Sequence, residues 1–431
     1  MKTYNWPLMQ SNFHSDDFEA IVRLLERPGV PGWNTDVRLT QGSEVKKFED
    51  EWSKWLGVKH SVFVNSGSSA NLLTMAALKE QKPKVEDCQY CGGRGVIATG
   101  PNDICDFDVC PQCHPSGKIL VPVVTWVSDI TSVLHANYSP VFVDIDPTTL
   151  GMCNQSVIKL IKKECPLAVF LTHCMGLNAI VDQDFYKLFF DKKILLIEDC
   201  CESVGTRTRW AGRKHKVGTF GLASNFSFYY AHHLTTIEGG MICTDDDMFA
   251  AVVRSLRGHG MRRESPAFNH LPKPEDLDPE FIFDYDGYNC RSTEINAVIG
   301  SSQLKRLDEG IEKRRENFKL FLENLDSSKY QTDFETEGSS PYGLILVLRN
   351  NDKTLRDSVC SYLQSQGIEY RRGVAGGGNQ LRQPYLRRRY GTIYAEFPNA
   401  EHVHFNGFCI GNWPDLKHED ILRLCESLNK L

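Results

Sequence analysis

Short apolar runs recur along this chain at 61–64, 118–124, 139–143, 167–171, 193–198 and 240–243, with helical segments between several of them. They lack strict polar–apolar alternation, so strands formed there would be covered on both faces. Such a chain folds as an α/β architecture around a mostly parallel sheet. Ahead of these runs, short helices are predicted over 17–27 and 42–55, the second stopping before Gly57. Near residue 305 the texture changes. QLKRLDEGIEKRRENFKLFLENLD predicts a charged amphipathic helix, PYGLILVLRN a strand, TLRDSVCSYLQSQG a helix, and a last helix begins at 417. The expected organisation is a large domain over 1–304 and a smaller α+β domain over 305–431.

Size and charge narrow the function. With 431 residues and 41% hydrophobic content, the chain can bury a sizeable core. A formal charge of -6 argues against a nucleic-acid partner. The densest basic run, Arg387, Arg388 and Arg389, reads as solvated surface or a rim for an anionic substrate. No apolar run approaches the roughly 20 residues that span a bilayer, and MKTYNWPLMQ carries no hydrophobic signal region. No membrane partner is expected. Of the 15 cysteines, most lie singly in apolar stretches, as Cys174, Cys243 and Cys409 do, and read as small buried hydrophobes. The expectation is a reduced, cytoplasmic chain.

Four separate segments carry chemistry. After the run at 61–64, NSGSSANLL places Ser68 and Ser69 where a helix begins, a position suited to phosphate and equally to an ordinary helix cap. Asp199 follows the run KILLI; a carboxylate at the carboxyl end of a strand can hold a protonated ring nitrogen, or can cap a helix. Trp126, after 118–124, can stack on a planar ligand or fill the core. The stretch FSFYYAHHLTTIEGG, residues 226–240, contains Ser227 and the adjacent His232 and His233. Imidazoles move protons near neutral pH but cannot form a Schiff base with an aldehyde.

Nearly the whole chain apart from 85–117 resembles the DegT/DnrJ/EryC1/StrS sugar-nucleotide aminotransferases. The resemblance is carried by LTQGSEVKKFEDEWSKWLGVKHSVFVNSGSSANLL, VPVVTWVSDI, THCMGLNAI, LLIEDCCESVG, GTFGLASNFSFYYAHHLTTIEGGMICTDD and GYNCRSTEINAVIG. It implies a PLP-dependent, aspartate-aminotransferase-like fold (fold type I) and a homodimer. It also implies that Trp126 stacks on the cofactor ring, Asp199 contacts its nitrogen, and Ser68, Ser69 and Ser227 hold its phosphate. Asn289 would reach the phosphate of the neighbouring subunit. The family pattern S-F-x-x-x-K-x-x-x-x-x-E-G-G puts a lysine where this chain has His232.

That exchange resembles the branch of 3-dehydratases acting on GDP-4-keto-6-deoxy-D-mannose. The resemblance implies a PLP/PMP cofactor, glutamate as amino donor, and loss of the C3 hydroxyl from a nucleotide-linked 4-keto-6-deoxyhexose. His232 would move the protons. His233 either orients the loop, binds substrate or makes a structural hydrogen bond. Arg291 is a candidate for a carboxylate or diphosphate, or for an ion pair. Within EYRRGVAGGGNQLRQP, Arg372, Asn379 and Arg382 are candidates for substrate contact or loop support, and the glycines at 376–378 suit a loop closing over a polar ligand. A related type carries an iron–sulfur cluster in a cysteine-rich segment after the histidine loop. Here that region, VVRSLRGHGMRRESPAFNHLPKP, has no cysteine. The alternatives are an aminotransferase with atypical cofactor binding, for which Lys214 and Lys216 are the nearby amines, and a noncatalytic scaffold or regulator.

Residues 85–117, VEDCQYCGGRGVIATGPNDICDFDVCPQCHPSG, depart from the family pattern. Cys88, Cys91, Cys110 and Cys113 form a C-x₂-C…C-x₂-C pairing that can enclose tetrahedral zinc. Cys105 and His114 are alternative ligands; two disulfides or an iron centre are the other readings.

Overall fold

The computed structural model describes residues 5–26, 39–80, 96–98, 107–109, 117–180, 185, 189, 194–210 and 213–431. The four cysteines of the proposed zinc pairing, with Cys105 and His114, lie outside these residues. Of that insertion, only a two-stranded antiparallel ladder, β2 (Val96–Ala98) with β3 (Phe107–Val109), is described.

Seven strands form the main sheet: β1 (His60–Val64), β4 (Lys118–Pro122), β5 (Ser139–Val143), β6 (Ala168–Thr172), β7 (Leu195–Asp199), β10 (Ala223–Ser227) and β11 (Gly240–Thr244). Their order is β1-β11-β10-β7-β6-β4-β5. Only β11 runs against its neighbours, so the sheet is mixed but mostly parallel. β6, β7 and β11 are buried along almost their whole length, as unalternating apolar runs require, and β10 is buried throughout despite its polar residues. A small hairpin, β8 (Arg207–Trp210) with β9 (Arg213–Lys216), precedes β10. A three-stranded antiparallel sheet, β12 (Gly343–Val347), β14 (Gly407–Gly411) and β13 (Tyr370–Arg372), forms the smaller α+β part.

The long charged helix expected from residue 303 starts later, as Leu307–Asn324, after a break from the helix Glu294–Leu304. The Glu294 carboxylate explains why the elements meet there. It accepts from the amides of Gly42, Glu44 and Val45 at 2.8–3.0 Å, satisfying the free N-terminus of the helix Ser43–Leu56. Glu198 does the same for a turn, accepting from Gly218, Phe220 and Gly221 at 2.8–3.0 Å just before β10. Side chains alternate along a strand, so Asp199 points the other way. The fully buried Glu198 fixes the entry to β10, and Asp199 faces the ligand side.

Candidate active site

The carboxyl ends of the parallel strands converge where open α/β sheets bind ligands. Thr172 of β6 and Asn225 of β10 lie opposite Asp199 of β7 in register. The next residues of each chain segment line a cavity of about 270 Å³: Ser66, Gly67 and Ser68 after β1, Trp126 after β4, Cys201 and Glu202 after β7, and Ser227 and His232 at and after β10. Met9, Tyr342 and Arg371 close it from the N-terminal segment and the smaller sheet. Among the described residues no lysine lines it. Lys216 lies over the Trp55 ring, 4.1 Å from its centroid, and Lys214 borders a different cavity.

At the floor, Asp199 accepts from the Cys201 amide and from the Asn71 side-chain amide, both at 2.9 Å. Asn71 also donates to Asp129 at 2.8 Å, and its own oxygen accepts from Asn225 at 2.9 Å. Asp129 accepts from the hydroxyls of Thr125 and, at 2.6 Å, Thr172. Burial and the neighbouring Asp199 push the Asp129 carboxyl well above the usual range. The Asn71 amide bridges the two acids, and Asp199 faces the cavity. Trp126 leaves 48% of its surface exposed at the cavity, an unusual exposure for an indole in the middle of a fold.

The helix Gly67–Glu80 begins at the cavity. Ser66 takes the Ser69 amide at 3.0 Å and shares a 2.9 Å hydroxyl bond with Ser69, which turns that side chain away from the lining. Ser68 is exposed. Gly240 lets β11 pass against this turn, because a Cβ there would stand 2.4 Å from the Ser66 carbonyl oxygen.

His232 is buried apart from the face it turns to the cavity, and its ring lies 5.0 Å from that of Tyr342. Burial, with Arg314 and Arg371 nearby, holds its imidazole down to about 3. It is therefore neutral in the cofactor-free chain. His233 points away from the cavity and bonds the Ser340 carbonyl oxygen at 3.0 Å, joining the histidine loop to the segment before β12.

The other expected ligand residues are placed elsewhere. Arg291 bonds Glu264 at 3.3 Å and His259 at 3.1 Å, and Asn289 is exposed; neither lines the cavity of this chain. Asn379 spends its polar atoms on Glu401, the Tyr394 carbonyl and the Leu381 amide. Arg382 pairs with Glu401 and stacks over Tyr394 and Phe405. The glycine-rich loop packs onto the segment before Trp126: Gln380 donates to the Val123 carbonyl at 2.8 Å, and a Cβ on Gly376 would stand 2.0 Å from the Thr125 oxygen. Arg372 is exposed outside the lining, whereas its neighbour Arg371 faces in, as alternation along β13 dictates.

Reading the sequence alone overlooked Arg371, Glu202 and Asn71. Glu202 accepts from the Met175 amide at 2.9 Å, and burial followed by the charge of Asp199 raises its carboxyl to about 7. Its position three residues after Asp199 was the available signal. Asn71, in the helix after the serines, carried none.

The DegT/DnrJ/EryC1/StrS aminotransferase family matches residues 33–86 and 109–429, leaving out the middle of the cysteine-rich insertion. The GDP-4-keto-6-deoxy-D-mannose 3-dehydratase of Yersinia pseudotuberculosis is 32% identical over 431 residues, covering 99% of this chain and 98% of that protein. The protein of the same description from Escherichia coli O55:H7 is 30% identical, covering 95% of each. A solved Escherichia coli GDP-4-keto-6-deoxy-D-mannose 3-dehydratase with bound hydrated PLP superposes with a TM-score of 0.81 at 29% identity, over 99% of this chain and 100% of that one. No helix among the described residues is long and apolar enough to cross a membrane. The fold is that of the PLP-dependent aminotransferases, and the chain belongs to the DegT/DnrJ/EryC1/StrS aminotransferase family.

Proposed function

We propose that this chain is a PLP/PMP-dependent sugar-nucleotide 3-dehydratase that removes the C3 hydroxyl of GDP-4-keto-6-deoxy-D-mannose, with glutamate as amino donor. The observation that carries this reading is His232 in the cavity wall, on the loop after β10, with Asp199, Trp126 and Ser227 around the same space. The donor set fits a phosphorylated pyridine. Asp199 would hold the ring nitrogen, Trp126 would cover one face, and Ser68, Ser227 and the free amides at the start of the helix Gly67–Glu80 would take the phosphate. Ser69 would act through Ser66 on that turn. When bound, the cofactor supplies an amine and an electron-accepting ring.

The protein's part is proton traffic and orientation. Neutral His232 would take a proton beside the cofactor and return one to the departing hydroxyl; such acid–base assistance is worth roughly 10²–10⁴-fold. Glu202, with its carboxyl near 7, can hold or release a proton at the same wall. Arg371 would bind the carboxylate of glutamate or a substrate phosphate through its planar donor fork. Overall, glutamate is oxidised to 2-oxoglutarate and the C3–OH bond becomes C3–H. The amine nitrogen leaves as ammonia, and the atoms of the two substrates balance those of the three products.

Three finer readings accompany this one. Asn289 of the partner subunit would complete the phosphate site in a homodimer. The pairs Cys88/Cys91 and Cys110/Cys113 would hold one structural zinc per chain, which elemental analysis measures. The chain would work reduced, in the cytoplasm. For the central reading, purified protein is incubated with PLP, glutamate and GDP-4-keto-6-deoxymannose. A product lighter by one oxygen, with one ammonia per sugar, is expected; a 4-amino sugar that keeps its C3 hydroxyl would refute it.

A further inference from the structure

Among the described residues, the imidazole of His232 has no hydrogen-bonded side-chain anchor. Its buried Nδ1 finds no partner there, and it touches the rings of Tyr342 and Tyr229 only by packing. Its placement therefore depends on the main chain of residue 232. The amide there donates to the Tyr229 carbonyl at 3.0 Å, and the carbonyl accepts from the Asn12 side-chain amide at 2.8 Å. The same Asn12 nitrogen lies 3.5 Å from the His233 carbonyl oxygen.

Asn12 is itself held. Its main-chain oxygen accepts from Arg306 at 2.9 Å and from Gln303 at 3.4 Å. Both donors also bind one Asp17 oxygen, at 2.5 and 3.1 Å, and that carboxylate is fully buried. Gln303 reaches the histidine loop as well, its oxygen accepting from the Thr235 amide at 3.0 Å. Farther along the N-terminal segment, Trp6 donates to the Gly411 carbonyl at 3.0 Å, the Leu8 amide to Glu369 at 2.9 Å, and Met9 lines the cavity. The segment thus runs from the smaller sheet, past the cavity, to the main chain of His232.

We propose that Asn12 is a positioning residue for His232: its amide, set by Asp17 through Arg306 and Gln303, fixes the main chain from which the imidazole enters the cavity. The inference rests on the role given to His232 in the proposed dehydratase reaction. Misplacing a reacting group by about 1 Å costs on the order of 10²-fold in rate. The carbonyl of residue 232 can move that far once its donor is gone.

Asn12→Asp keeps the shape and removes the donor; Asn12→Gln keeps the donor at a longer reach. For Asn12→Asp the expected result is an unchanged melting temperature, unchanged PLP affinity and unchanged KM for glutamate. Single-turnover dehydration falls on the order of 10²-fold, and Asn12→Gln recovers part of it. In cofactor-free protein, the ring resonances of His232, assigned by their loss in His232→Gln, should shift and broaden in Asn12→Asp. Wild-type rates and ring resonances in Asn12→Asp would overturn the proposal, as would a rate loss that only follows lost PLP binding. If Asn12→Asp does not fold, Gln303→Leu carries the same readouts through the next link. If the wild-type protein does not dehydrate the sugar, the function falls separately, and the ring resonances still decide whether Asn12 places His232.

Discussion

The histidine loop after β10 and the glycine-rich loop after β13 approach one cavity from different sheets, and they are built on opposite principles. In the histidine loop, the residue of interest is aimed by its backbone, with Asn12, Gln303 and Asn296 each bonding loop main-chain groups from outside. In the glycine-rich loop, side chains add anchors of their own to the bond between the Gln380 main-chain amide and Val123. Asn379 and Arg382 converge on Glu401, and the glycines let the chain lie against Thr125. The first loop leaves its imidazole free for chemistry. The second uses Asn379 and Arg382 in holding itself, and it is Arg371, in the middle of the preceding strand, that lines the cavity.

The contrast breaks first at His232→Lys. A lysine there can bond covalently to PLP, and it cannot reproduce imidazole proton transfer near neutral pH. The expected outcome is a borohydride-reducible PLP adduct together with a loss of dehydration of roughly 10²–10⁴-fold. Undiminished dehydration would remove His232 from the reaction.

The second test separates neighbours on one strand. Arg371→Gln should raise the KM for glutamate or for the sugar nucleotide about tenfold or more, since a charge-assisted pair contributes more than a neutral hydrogen bond. Arg372→Gln should change neither constant, because Arg372 stands outside the lining. Equal effects from both substitutions would mean that the phase of β13 does not select the ligand contact.

Arg371 also shows where reading the sequence reaches its limit. The large-sheet elements were legible because apolar runs without alternation, followed by Ser, Trp or Asp, mark buried strands and their ligand ends. Ser68, Trp126 and Asp199 were found that way, Ser227 and His232 through the family resemblance of the stretch 226–240, and the structure brings all five to one cavity. β10 itself went unread, since three of the five residues of ASNFS are polar although every one of them is buried. The small-domain contacts depend on which member of Arg371 and Arg372 faces inward, and that is settled by the pairing of β13 with β14. Asn379 and Arg382 stood open between ligand contact and loop support because their partner, Glu401, is some twenty residues away. Asn12 is 220 residues from the carbonyl it holds, beyond the reach of any local pattern.

The smallest expected effect is a compensation between buried acids and buried imidazoles in the cofactor-free protein. His232 and His233 are held far below the ordinary 6.5 by burial and by Arg314. Between about pH 6.5 and 4.5 the unfolded chain binds their protons and the folded one does not, so each histidine lowers stability as pH falls. Glu202 works in the opposite sense. With its folded carboxyl near 7 against an ordinary 4.5, the folded chain carries a proton that the unfolded one lacks across the same window. Asp129 is shifted the same way. The raised acids oppose the lowered histidines, so stability should fall less from pH 6.5 to 4.5 than the histidines alone would make it. Below that window Glu202 is protonated in both states, so its contribution is fully present and no longer grows. Asp17 and Glu49, whose carboxyls lie below their ordinary values in contact with arginines, then begin to lose their ion pairs as well, and stability should fall steeply. Glu202→Gln removes one side of the balance. Between pH 6.5 and 4.5 its denaturant-unfolding free energy should decline more steeply than that of the wild type, by about 1.4 kcal/mol per pH unit, the value of one proton. A variant with the wild-type slope over that range would show that the raised carboxyl of Glu202 does not offset the buried histidines.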